Sequence, residues 1–236
     1  MLVSELNNLP EEELISLIKK DHNIFYFIKN PSEKVQLAAV KSHGYTISTM
    51  KNPSEKVKLE AVKHQGETIA YIKNPSEKVQ LKAVIFNGLN IKHIKNPSEK
   101  VQLAAVKSNG YALQYLKNPS EKVQIEAVKN DGYSIQFIKN CTEKVQLAAV
   151  KSDGYSIQFI ENPTEKVQLE AIQKDKHIIQ HIKNPCEKVQ LEVVKRSILL
   201  LKYIGNPCEK VKEILLQTDN FILDPTPNSL EYIENL

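Results

Sequence analysis

The dipeptide Asn-Pro returns every 22 residues, at Asn30-Pro31, Asn52-Pro53, Asn74-Pro75, Asn96-Pro97, Asn118-Pro119, Asn162-Pro163, Asn184-Pro185 and Asn206-Pro207. Asn140-Cys141 fills the one gap, so nine copies run without insertion or deletion. A repeat this short is one supersecondary unit that cannot bury its apolar face alone. It must stack on its neighbours. The period predicts an all-α chain: an α-solenoid of about nine short helical hairpins, closed by a cap at each end. The expected boundaries are an N-terminal cap over 1–29, repeats over 30–223 and a C-terminal cap over 224–236.

Each unit carries its own start and stop signals. Asn30 suits an N-cap, Pro31 the first helical position, and Glu33 the return bond of a capping box. Val35, Leu37, Ala39 and Val40 then face inward on a helix of about three turns. Gly44 is expected to end that helix in the left-handed region, with Gly66, Gly88, Gly110, Gly132 and Gly154 as counterparts. A second, shorter helix places Ile47 and Met50 three residues apart. It stops at the next Asn-Pro, because the residue before proline is pushed out of the helical region. Helices this short are not stable alone. At the usual packing distance the stack would advance about 9–10 Å per repeat.

The unit Asn-Pro-x-Glu-Lys-Val-Gln-x-x-Ala-Val resembles HEAT-like repeats, and most closely the variant leucine-rich repeat class. That resemblance implies alternating α and 3₁₀ segments. The unit here is a couple of residues shorter, and Gln36 stands where that class often has Arg. The chain is also similar to tandem 22-residue-repeat proteins of phages, large viruses and bacteria, which implies a fold and an origin but no activity.

Composition narrows the function classes. The chain is 41% apolar, enough for a core, and its formal net charge of +4 is too modest to imply nucleic acid by itself. Three cysteines and an acidic N-terminus without a long apolar run predict a reducing, cytoplasmic setting. No apolar run is long enough to span a membrane.

In a stack, each repeat position becomes a surface column. Lys34, Lys56, Lys78, Lys100, Lys122, Lys144, Lys166, Lys188 and Lys210 form the most constant one. Lys41, Lys63, Lys107, Lys129, Lys151 and Lys195 form a second; Lys29, Lys51, Lys73, Lys95, Lys117, Lys139 and Lys183 form a third. Such columns read either as a track for phosphates or as a solvated face. The acidic column of Glu33 and its copies, with Glu60, Glu126, Glu170 and Glu192, would then neutralise them. Gln36 and its copies read as an amide ladder joining repeats or loop carbonyls.

The second helix brings together aromatic and amide residues in the central repeats. Tyr111, Gln114 and Tyr115 recur as Tyr133, Gln136 and Phe137, as Tyr155, Gln158 and Phe159, and as His177, Gln180 and His181. Residues three and four apart share a helix face, so these twelve form a candidate adhesive surface. The alternative is packing between repeats, with tyrosine hydroxyls reaching water.

Catalytic signatures are absent. His177 and His181 lie one turn apart but lack a third ligand at zinc spacing, and no glycine-rich phosphate loop or nucleophile elbow occurs. Neither a cofactor nor a metal is expected. Departures from the repeat gather near the end, where Lys176 and Ile198 replace the glycine and Ile198-Leu199-Leu200-Leu201 suggests a cap or a self-association patch. The leading expectation is a non-enzymatic, protein-binding scaffold acting through its second-helix face, in one version a viral factor that sequesters a host protein. The alternatives are a nucleic-acid binder of the helical-repeat DNA glycosylase type, using the lysine columns, and an enzyme inhibitor or small-ligand sponge with pockets between repeats.

Overall fold

The computed structural model describes residues 3–218. The proposed C-terminal cap, 224–236, lies outside them. Among the described residues the fold is all-helical, an α-solenoid in which α-helices alternate with 3₁₀ segments and each unit packs on the units before and after it. A representative pair is the α-helix Glu33–Ser42 followed by the 3₁₀ helix Gly44–Thr49. The 22-residue pattern begins earlier than the Asn-Pro series shows. Glu11–Lys20 and His22–Phe27, inside the segment expected to be a loose cap, form a complete α/3₁₀ pair.

The core repeats with the sequence. Val35, Ala39 and Val40 of the α-helix and Ile47 of the 3₁₀ helix are buried, as are their counterparts Val123, Ala127, Val128 and Ile135. Leu37 is only half-buried. A 3₁₀ turn aligns residues three apart on one face, so a six-residue segment presents one buried ridge. The second segment is therefore 3₁₀ throughout, with Met50 outside it as the extended C-cap residue.

The capping register differs from the expected one. Ser32, not Asn30, is the N-cap, and its hydroxyl accepts the Val35 N–H at 3.3 Å. The same residue donates to Glu11 of the preceding unit. The bond recurs as Ser98 to Glu77 at 2.5 Å, Ser120 to Glu99 at 2.6 Å and Thr142 to Glu121 at 2.7 Å. The N-cap hydroxyl thus satisfies its own helix and reaches back to its neighbour. An asparagine two residues earlier could not make that pair of contacts.

Asn30 instead carries the turn, with φ of 49°, and Asn52, Asn74, Asn96, Asn118 and Asn140 do the same. Asparagine tolerates this left-handed conformation better than most residues. Asn140 keeps it before Cys141, so proline is not what sets it. Asn162, Asn184 and Asn206 leave the left-handed region although proline follows each. In that C-terminal part the repeat glutamine keeps the carbonyl of its own turn, as from Gln168 to Pro163 at 3.0 Å, and gains a second partner in the next repeat. Gln168 Oε1 accepts the Cys186 N–H at 2.9 Å, and Gln190 Oε1 accepts the Cys208 N–H at 2.8 Å. The expected amide ladder between repeats exists there. In the earlier repeats the glutamine amide donates only to the carbonyl of its own turn, as from Gln102 to Pro97 at 3.0 Å. Gln146, at the junction, buries its Oε1 without a partner.

The glycines play a different part from the one expected. None has positive φ. Gly88 opens a 3₁₀ helix, and a Cβ built there would stand 2.2 Å from the Ala105 carbonyl oxygen of the next repeat. Glycine is required by the close approach of the following helix rather than by its own backbone. Lys176 and Ile198 still open 3₁₀ helices where the glycine is lost. Of the apolar run 198–201 only Leu199 is well exposed, at 78%, while Leu200 and Leu201 are buried, so the run belongs mainly to the core.

Candidate functional site

The α-helix starts and the 3₁₀ ends form surfaces of different character. On the first, lysine of one unit pairs with glutamate of the unit before. Lys34 lies 3.1 Å from Glu11, Lys100 3.7 Å from Glu77, and Lys144 3.7 Å from Glu121. Lys188–Glu165 and Lys210–Glu187 continue the series. The glutamate also takes the N-cap hydroxyl, and this pair of contacts holds Glu11 below the usual carboxylate range: the Ser32 bond first, Lys34 second. Each exposed pair adds little stability, and the pairing covers five of the nine lysines; Lys56, Lys78, Lys122 and Lys166 make no ion pair among the described residues. The second lysine column is also met by acid: Lys107 and Lys129 approach Glu126 at 3.7 and 3.6 Å, and Lys151 approaches Glu170 at 3.9 Å.

The third column stands differently. Lys29, Lys51, Lys73, Lys95, Lys117, Lys139 and Lys183 are exposed and make no ion pair among the described residues. They follow the 3₁₀ segments, where backbone carbonyls point outward and favour cations. Beside them runs the aromatic column, and the structure joins its members across repeats. Tyr111 packs edge-on against Phe137, with ring centroids 5.6 Å apart, Tyr133 against Phe159 at 5.5 Å, and Tyr155 against His181 at 5.4 Å. Tyr45 and Tyr71 repeat the arrangement at 5.8 Å. This is the inter-repeat packing offered above as the alternative, and it leaves Tyr111, Tyr133, Phe137, Tyr155 and His181 half-buried.

The same edge still presents side chains to solvent. Tyr115 is 44% and Phe159 39% exposed. Gln114, Gln136, Gln158, His177 and Gln180 are exposed as well. Gln114, Gln136 and Gln158 each donate to the carbonyl three residues earlier, at 2.9–3.0 Å, which leaves each side-chain oxygen outward. Tyr155 donates its hydroxyl to Asp175 at 2.8 Å; that bond, with burial, raises its pKa. Burial, and then Lys92, pushes the His93 imidazole down.

Shallow grooves open between successive 3₁₀ ends. One of about 570 Å³ lies between Lys29 and Lys51, and one of about 560 Å³ between Phe159 and His181. On the α face a third, about 520 Å³, lies over Ile125, Leu147 and Ala148. Among the described residues no group of three or more His, Cys, Asp or Glu gathers to hold a metal, and no helix is long and apolar enough to cross a membrane. Cys141, Cys186 and Cys208 are free thiols, and burial pushes Cys141 up, away from thiolate reactivity. No family model, no curated protein and no solved structure matches the chain.

Proposed function

We propose that the protein is a non-enzymatic scaffold whose 3₁₀ edge, over the central repeats 110–183, recognises a protein partner. The observation that carries this reading is the contrast between the two edges. Five of the nine helix-start lysines are committed to carboxylates of the same chain, and a continuous acidic column runs beside all nine, so a phosphate track along that edge would have to compete with those carboxylates. The 3₁₀ edge instead offers exposed amides and rings on rigid, cross-packed supports. Rings held by neighbours lose little entropy on binding, and amides supply directional bonds. In the version suited to a viral origin, the partner is a host protein of the cytoplasm.

The test is site-specific photo-crosslinking in cells. A crosslinker at 114, 136 or 158 should give one discrete protein adduct, and one at 107, 129 or 151 on the α face should not. Equal labelling from both faces, or none from the 3₁₀ edge, would refute the assignment.

A further inference from the structure

Whereas Lys129, Lys144 and Lys151 of the α-face groove each meet a glutamate, another groove gathers three lysines of which none is ion-paired among the described residues. It measures about 370 Å³, follows the Asn52-Pro53 turn, and is lined by Lys51, Lys58, Lys73, Asn52, Thr49 and Tyr71 among others, with no carboxylate in its walls. The floor is where the repeat breaks. Seven repeats carry glutamine at this position, from Gln36 to Gln190, and only Lys58 and Lys212 replace it. Lys212 is answered by Glu209 at 3.0 Å. Lys58 is half-buried and makes no ion pair or side-chain hydrogen bond among the described residues. A half-buried ammonium with two lysines nearby and no counter-charge is unfavourable unless something anionic enters.

The remaining lining narrows the ligand. Tyr71 is 53% exposed and is braced edge-on by Tyr45, so its free face can take a planar ring. Asn52 and Thr49 make no side-chain bond outward from the groove; the Thr49 hydroxyl donates to the Thr46 carbonyl of its own turn and keeps its lone pairs. The volume lies in the range of small-ligand pockets. We infer that this groove binds a nucleoside phosphate, with the phosphate on Lys51, Lys58 and Lys73 and the base against Tyr71. The site lies outside repeats 110–183, so it stands or falls independently of the protein-binding edge. A free nucleotide and one residue of a single strand would present the same group.

Lys58→Gln tests the inference without threatening the fold, because it restores the residue of the other repeats. In those repeats the glutamine amide bonds the carbonyl of its own turn, as from Gln80 to Pro75 at 2.8 Å. Binding of fluorescent AMP, a labelled single-stranded oligonucleotide, pyrophosphate and a phosphoserine peptide would be measured by anisotropy and calorimetry at 0.15 M salt, where long-range surface attraction is largely screened. The expected result is nucleotide binding weakened about tenfold or more by the substitution, at an unchanged melting temperature. AMP binding would identify a free nucleotide; response of the oligonucleotide alone would identify a strand. Absence of nucleotide binding, or binding equal in both proteins, would overturn the site. Pyrophosphate or phosphopeptide binding as tight as the nucleotide would overturn the nucleoside assignment.

Discussion

Ser120 Oγ stands 2.6 Å from Glu99 Oε1, joining two repeats through the same hydroxyl that caps its own helix. Ser120→Ala removes both contacts and is expected to cost about 1–2 kcal/mol. The counterpart Cys186 makes no side-chain cap bond. Cys186→Ser should therefore stabilise by about 0.5–1 kcal/mol. Urea denaturation followed by circular dichroism checks both, and the two shifts must have opposite sign.

Glycine substitutions should separate crowding from backbone freedom. A Cβ at Gly88 meets the Ala105 carbonyl oxygen, whereas one at Gly205 meets nothing within 4 Å. Gly88→Ala is expected to destabilise by about 1–3 kcal/mol, the usual range for overpacking, and Gly205→Ala to stay within about 0.5 kcal/mol of the parent. Matching effects at the two sites would contradict the close-approach explanation.

The turn asparagines make a parallel test. Asn118 has φ of 49° while Asn184 is not left-handed. Asn118→Val should cost about 1–2 kcal/mol from the left-handed region alone, and Asn118→Gly much less. At Asn184 valine should carry no such penalty. Thermal melts of the three variants decide it.

The cross-repeat ring contact between Tyr111 and Phe137 should show as coupling. A double-mutant cycle with leucine at each position is expected to give about 0.5–1.5 kcal/mol. Coupling near zero would return these rings to the binding surface alone and leave their half-burial unexplained.

Acid should loosen the C-terminal repeats through Asp175. The His177 backbone N–H and then the Tyr155 hydroxyl hold its carboxyl below the usual range. A depressed folded-state pKa contributes stability above the unfolded value, near about 3.9, and that contribution disappears as pH falls through the folded value. Asp175→Asn keeps an acceptor but removes the titration. Its melting temperature should therefore fall less than the parent's between pH 5 and pH 2.

The stacking plan was legible in the chain because period, apolar spacing and breaker residues all agree. Val35, Ala39, Val40 and Ile47 could be placed inside from spacing alone, and their copies with them. The helix boundary was legible only to within two residues, since Asn30 and Ser32 are both good caps and local propensity does not separate them. In the structure Ser32 takes the extended N-cap conformation while Asn30 occupies the left-handed turn before Pro31, and Glu11, a full repeat away, gives the Ser32 hydroxyl a second partner. Gly44 and its copies signalled a special backbone position, but whether for positive φ or for missing bulk depended on where the next helix lies. The partly paired and the unpaired lysine columns look alike in sequence. Only the stack decides which lysine meets a glutamate, because charge pairing depends on distance across repeats rather than on position within one. Sequence by itself therefore determined the unit and its core; the extra unit at Glu11–Phe27, which lacks the Asn-Pro signal, became visible only in the structure. Caps, close approaches and ion pairs were left to tertiary structure, because each is a contact between units that no single unit contains.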